Sequence, residues 1–127
     1  MENNTYHQAV WFEIPVTDLT RAIRFYEQVL SIDICEQAMD EIMLGLFPHD
    51  DKSSVSGALI CGMELKPSSD GSIVYLNGGD DLGVALSKVE AAGGKVLIPK
   101  THLGDEIGYI GHFIDSEGNR IGLHSIQ

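Results

Sequence analysis

The chain has little that could strap it together and little positive charge. Cys35 and Cys61 are its only cysteines. Two cannot form a disulfide framework, and neither sits in a Cys-x-x-Cys redox pair or a zinc knuckle. Both are expected to be reduced, partly buried thiols. Lys and Arg together number 8 against 19 Asp and Glu, for a net charge of −11. A surface that acidic repels phosphate backbones and anionic lipid, which excludes nucleic acid and membrane surfaces as partners. No run approaches the roughly 18 apolar residues that a membrane-spanning helix needs. The opening residues, Met1 to His7, lack a basic region followed by an apolar stretch, so a cytoplasmic location is expected. What is present is ordinary: 43% hydrophobic and 21% charged residues in a chain of 127. That composition excludes disorder, collagen-like repeats and coiled coils, and the length suits one domain with its own core.

The chain says the same thing twice. Val10 to Val16 is rich in strand formers and leads into Asp18, a suitable helix N-cap. Leu19, Ala22, Ile23, Tyr26, Val29 and Leu30 follow at helical spacing. Ser72 to Leu76 reads as a second strand, and Leu82, Ala85, Leu86 and Val89 repeat the helical spacing up to Gly93-Gly94. Asp18-Leu19-x-x-Ala22 thus recurs as Asp81-Leu82-x-x-Ala85, 63 residues later (81 minus 18). Three short strands follow each helix, near Asp33–Glu36, Glu41–Phe47 and Val55–Cys61, then near Lys95–Ile98, Gly108–Asp115 and Arg120–Ser125. His49 to Ser54 reads as a loop, Lys66 to Gly71 as the link between halves, and Asp115 to Asn119 as a hairpin turn. The expected fold is α+β, a single domain over 1–127. It holds two βαβββ modules, about 8–65 and 71–127, whose mixed sheets curl around a cup. Neither half can bury its sheet alone, so the two pack together or exchange partners in a dimer.

This order of elements resembles the vicinal oxygen chelate superfamily, which includes glyoxalase I, bleomycin- and fosfomycin-resistance proteins and extradiol dioxygenases. The resemblance rests on Phe12-Glu13-Ile14-Pro15-Val16-x-Asp18-Leu19-x-x-Ala22-x-x-Phe25-Tyr26, on Ala91 to Val96, and on Phe113-x-Asp115-x-Glu117-Gly118-Asn119-Arg120-Ile121-Gly122-Leu123. It implies a site on the inner face of the curled sheet, where a metal held by His and Glu chelates two neighbouring substrate oxygens. Carried over residue by residue, the ligand positions fall on Trp11, Val74 and Gly122, with the fourth near Ala58 to Ile60. None of these side chains can donate to a divalent metal. The usual metal site is therefore expected to be absent. The resemblance then implies either a lyase- or dioxygenase-type enzyme acting on a small polar metabolite, or a metal-free small-molecule-binding protein like those that sequester bleomycin. A homodimer is implied in both cases.

Strand alternation adds polar residues to that inner face. Glu13 follows Trp11 by two, Arg120 and His124 flank Gly122, and His112 shares a side with Ile110 and Ile114. His112, His124 and Glu13 are the candidate catalytic residues, and Trp11, Arg120, Val74 and Gly122 the candidate substrate contacts. Gly122 would leave room for a ligand beside His124. Three readings stay open at this point. The histidines are satisfied structural groups; or Glu13, His112 and His124 hold a relocated divalent metal; or they and Arg120 meet a polar substrate directly. No cofactor is expected, with that relocated metal as the alternative. His7 and His49 read as exposed loop residues, and His102 as part of a polar loop that could lie over the pocket.

Overall fold

The computed structural model describes residues 8–49 and 55–127. His7 and the 50–54 part of the expected loop lie outside the described residues. The first module runs β1 (Trp11–Pro15), α1 (Leu19–Leu30), β2 (Cys35–Met39), β3 (Ile42–Leu46) and β4 (Ser56–Cys61). The second runs β5 (Tyr75–Asn77), α2 (Leu82–Leu86), α3 (Val89–Ala92), β6 (Lys95–His102), β7 (Tyr109–Ile114) and β8 (Arg120–Ser125). The sheets have matching orders, β1-β4-β3-β2 and β5-β8-β7-β6. Each carries one parallel pair, β1 with β4 and β5 with β8, and is otherwise antiparallel. This is an α+β fold of two open, mixed sheets.

Helix α1 forms where its sequence says it should. The Asp18 carboxylate accepts from the Arg21 N–H at 3.1 Å, and Ser31 ends the helix in the left-handed conformation. Leu19, Ala22, Phe25, Tyr26 and Val29 are buried on one face. They meet Ile14, Leu59, Leu82, Val89, Phe113 and Leu123 in a core to which both modules contribute. Burying each large side chain contributes roughly 2 kcal/mol relative to leaving it exposed.

The second helix differs from the reading of its sequence. Its spacing suggests one helix from Leu82 onward, but the turn tightens at Ser87. The Ser87 hydroxyl donates to Val84 O at 2.6 Å and Lys88 N–H to Ala85 O, so two short helices result. Gly93 then closes α3 with φ of 109°, as expected. His102 is the last residue of β6 rather than part of a loop. It faces Asp105 at 3.4 Å and the Tyr109 ring at 4.9 Å.

The turn between β7 and β8 fastens the modules together. Glu117 accepts from the Thr17 and Asp18 N–H groups, both at 2.9 Å, and from Arg21 Nε at 2.7 Å. Tyr26 donates its hydroxyl to Asp115 at 2.6 Å, and Asn119 Nδ2 donates to Pro15 O at 2.7 Å. Burial alone would raise the Glu117 carboxyl, but the bonds from Arg21, Asp18, Ser116 and Thr17 overcome it and hold the group at about 2. Burial and the neighbouring Asp115 push the Tyr26 phenol well above its usual range. Among the described residues no helix is long and apolar enough to cross a membrane.

Candidate functional site

Each sheet has one face packed on the core and one face without helices. Along β7 and β8 the alternation holds as read. Phe113, Ile121 and Leu123 enter the core, while Ile110, His112 and Ile114 oppose His124, Gly122 and Arg120 on the other face. Trp11 and Glu13 lie on the helix-free face of the first sheet, since Phe12 and Ile14 between them pack inward. Trp11 is 46% exposed and its indole N–H reaches the Glu13 carboxylate at 3.4 Å.

Strand β5 corrects the sequence reading. The repeat offset of 63 matched Val74 to Trp11, yet Val74 packs against the core and Leu76 beside it is buried. The burial pattern of β5 follows that of β1 at an offset of 62 (76 minus 14), while the helix caps keep 63. One residue has been added between β5 and α2, and a shift of one residue in a strand exchanges its two faces. Tyr75, not Val74, is therefore the residue of β5 that stands on the helix-free face.

Tyr75 also corrects the role given to Gly122. The two are register partners on the parallel pair β5 and β8. A Cβ on Gly122 would meet Tyr75 Cε2 at 2.5 Å, so the phenol ring occupies the space that glycine leaves. Lying across Gly122, the ring reaches the next strand, and its hydroxyl meets His112 Nε2 at 2.6 Å. The other ring nitrogen of His112, Nδ1, accepts from Arg120 Nε at 3.1 Å. His112 is only 5% exposed. Burial and then the nearby Arg120 charge lower its pKa, which favours the neutral imidazole that the Arg120 bond to Nδ1 requires. His124 is engaged as well, through a short bond from Nε2 to Ile107 O that ties down the 103–108 turn.

The expected site residues are thus split between two recesses joined by His112. Arg120 and Glu13 line a recess of about 170 Å³ beside the linker, where Asp70 and Lys66 also lie. Tyr75 and His124 line another of about 570 Å³. A cleft of about 650 Å³ opens elsewhere, between Phe12, Phe47 and Val29 of the first module and Leu76, Val84 and Lys88 of the second. None of the predicted site residues lines it.

The family model of the Glyoxalase/Bleomycin resistance protein/Dioxygenase superfamily matches residues 8–123. The chain belongs to this superfamily. Glyoxalase I of Zea mays superposes with a TM-score of 0.69 at 19% identity, covering 92% of this chain and 45% of the maize protein. The chain therefore spans under half the length of that relative. The trypanothione-dependent glyoxalase I of Leishmania major gives 0.71 at 16% identity, over 94% of this chain and 87% of the other. TnmS3, an antibiotic binding protein from Streptomyces sp. CB03234, gives 0.61 at 18% identity, over 97% and 98%. At these identities the likeness shows the fold alone. No curated protein matches the sequence.

The residues present do not fit the metal of the superfamily. Trp11, Gly122 and the Ala58–Ile60 stretch offer no donor, and Val74 faces the core. Among the described residues no three of His, Cys, Asp and Glu come together to hold an ion, so Glu13, His112 and His124 do not form the relocated site that their types suggested. Tyr75 was missed because its neighbours Val74 and Leu76 are also strand formers. The available signal was Leu76, an apolar residue two beyond Val74 that aligns with Ile14.

Proposed function

We propose that this superfamily member binds a small molecule without a metal, and that two copies pair so that one chain's helix-free sheet face completes the other's site. The observation that carries this reading is the bonding of His112. With Nδ1 held by Arg120 and Nε2 by Tyr75, the imidazole has no lone pair for a metal and no open position as a general base. It orients its neighbours instead. A lyase or dioxygenase reaction at Glu13, His112 and His124 would first have to break those bonds, so catalysis is the weaker reading. TnmS3, of nearly the same length, is an antibiotic binding protein, which supports ligand binding by this fold. Trp11 and Tyr75 leave aromatic surface exposed (46% and 47%), and among the described residues β1 and β5 each have one unpaired edge. Both features favour a second copy. The unpaired thiols of Cys35 and Cys61 fit a cytoplasmic setting.

Trp11 is the only tryptophan, so its fluorescence reports on one place. Screening a library of uncharged and anionic aromatic compounds in chelator-treated buffer should give saturable changes in Trp11 emission and raised melting temperatures. Light scattering should return twice 13.8 kDa. Binding that appears only after Fe(II), Mn(II), Zn(II) or Ni(II) is added would overturn the metal-free reading.

A further inference from the structure

One proton treats the two bonds of His112 unequally. An Arg side chain only donates, so Nδ1 must present a lone pair to Arg120 Nε at 3.1 Å. The ring proton of the neutral imidazole then sits on Nε2 and points at the Tyr75 hydroxyl oxygen, 2.6 Å away. A second proton can enter only at Nδ1. It turns that acceptor into a donor and sets an imidazolium against a guanidinium, so the bond from Arg120 is lost. The bond to Tyr75 survives, because Nε2–H still donates and the hydroxyl oxygen still accepts.

The surroundings leave this contrast intact. His112 faces Ile98 on β6 and Gly122 on β8, with the Tyr75 ring of β5 lying across that glycine. His124 on β8 is bonded to Ile107 O, and Lys95 stands opposite Ile114 on the outer strand β6. Among the described residues Arg120 supplies the charge that bears on the imidazole, and after burial it lowers the pKa. Arg120 also has somewhere to go. It lines a recess of about 170 Å³ together with the carboxylates of Glu13 and Asp70 and one other cation, Lys66. Glu13 takes only a long bond among the described residues, from the Trp11 indole at 3.4 Å.

We infer that His112 is a proton-operated latch: its neutral ring holds Arg120 on the second sheet, and its protonated ring releases Arg120 to Glu13 and Asp70 while keeping Tyr75 in place. Glu13 belongs to β1 and Asp70 to the linker, so the released guanidinium bridges from the second module to the first. The recess beside the linker closes in mild acid and opens towards neutrality. The latch needs neither a ligand nor a second copy, so it stands or falls apart from the ligand-binding reading.

A 15N NMR titration of the unmodified protein, from about pH 8 to about pH 4.5, follows the latch directly. Glu117 keeps the modules fastened over that range, since its carboxyl is held at about 2. At the upper end His112 should carry its proton on Nε2 alone, with the Arg120 Nε–H slow to exchange. As Nδ1 gains a proton, that Nε–H should exchange at least about tenfold faster, while the Tyr75 ring signals hold. A cycle of variants reads the destination. Glu13→Gln combined with Asp70→Asn should lower the Nδ1 midpoint by about half a unit, and by clearly less when Arg120→Gln is also present. An equal shift with and without Arg120 would overturn the transfer to the carboxylates. An Arg120 signal that ignores the Nδ1 proton would overturn the latch, as would loss of the Tyr75 contact in step with it. So would an Nδ1 that is already protonated at the upper end, or one that takes up no proton down to the lower.

Discussion

On the first sheet the helix-free face is apolar apart from Glu13 beside Trp11 on the edge strand, with Leu44, Ala58 and Ile60 buried and Ile42 and Leu46 beside them. On the second sheet the matching face carries Tyr75, His112 and Arg120 in a bonded row. The strand orders are the same, so topology does not decide which module carries polar groups. The parity of one strand decides whether Tyr75 joins that row. In both modules an aromatic residue of the first strand lies across a glycine of the last, Phe12 on Gly57 and Tyr75 on Gly122. Because β5 is one residue out of step with α2, the first ring faces the core and the second faces outward. A packing device in one half thereby becomes a hydroxyl on the helix-free face in the other.

Breaking the link between the halves should have the largest effect. Glu117 is fully buried and receives bonds from Thr17, Asp18, Arg21 and Ser116. Glu117→Ala orphans those donors and should cost roughly 3 kcal/mol in urea unfolding. A loss under half of that would mean that the shared core, not the turn, holds the modules together.

The paired glycines sharpen the comparison. In Gly57→Ala the new methyl would meet the Phe12 carbonyl oxygen, which is backbone held in the sheet and cannot swing aside, and Phe12 Cδ1 at 2.6 Å. A loss of about 2–3 kcal/mol is expected. Gly122→Ala meets the Tyr75 ring first, which is half exposed and can swing aside. It should cost about 1 kcal/mol while separating Tyr75 from His112. Thermal melts paired with NMR of the His112 ring would test this, and equal losses at both glycines would contradict the assignment of faces.

Acid sensitivity completes the comparison, and it belongs to the second module. Glu117 titrates near 2 when folded and near 4.5 when unfolded. Its contribution is complete above about pH 4.5 and is lost as pH falls towards 2, because the unfolded chain takes up the proton first. The lowered pKa of His112 acts in the same direction at milder acidity. Stability should therefore decline as the pH is lowered below 6.5, and Glu117→Gln should flatten only the part below about 4.5.

Much of this was legible in the residues. Helix α1 and strand β8 fall where helical spacing and turn formers put them, because Asp18 and the Asp115–Asn119 turn are local signals. The shared face of His112, Arg120 and His124 was legible for the same reason, since alternation is local too. The orientation of β5 was not. It depends on one extra residue before α2, which Leu76 alone marks, and on the parallel register of β5 with β8, which pairs residues far apart in the chain. The bond between Tyr75 and His112 followed from that register, and a histidine that read as a catalytic candidate stands bonded between Tyr75 and Arg120.

The fastening turn also bears on how the chain is made. Its bonds join residues 89, 100 and 104 positions apart, from Tyr26 to Asp115, Thr17 to Glu117 and Pro15 to Asn119. During synthesis the start of α1 leaves the ribosome with its amide groups facing water, and their acceptor does not exist until residue 117 has been translated. The first module must therefore wait in an incomplete state, with Phe25 and Tyr26 uncovered, until residue 117 arrives. Long-range closure of this kind is slow, and that interval is when the nascent protein is most exposed to aggregation and to chaperones.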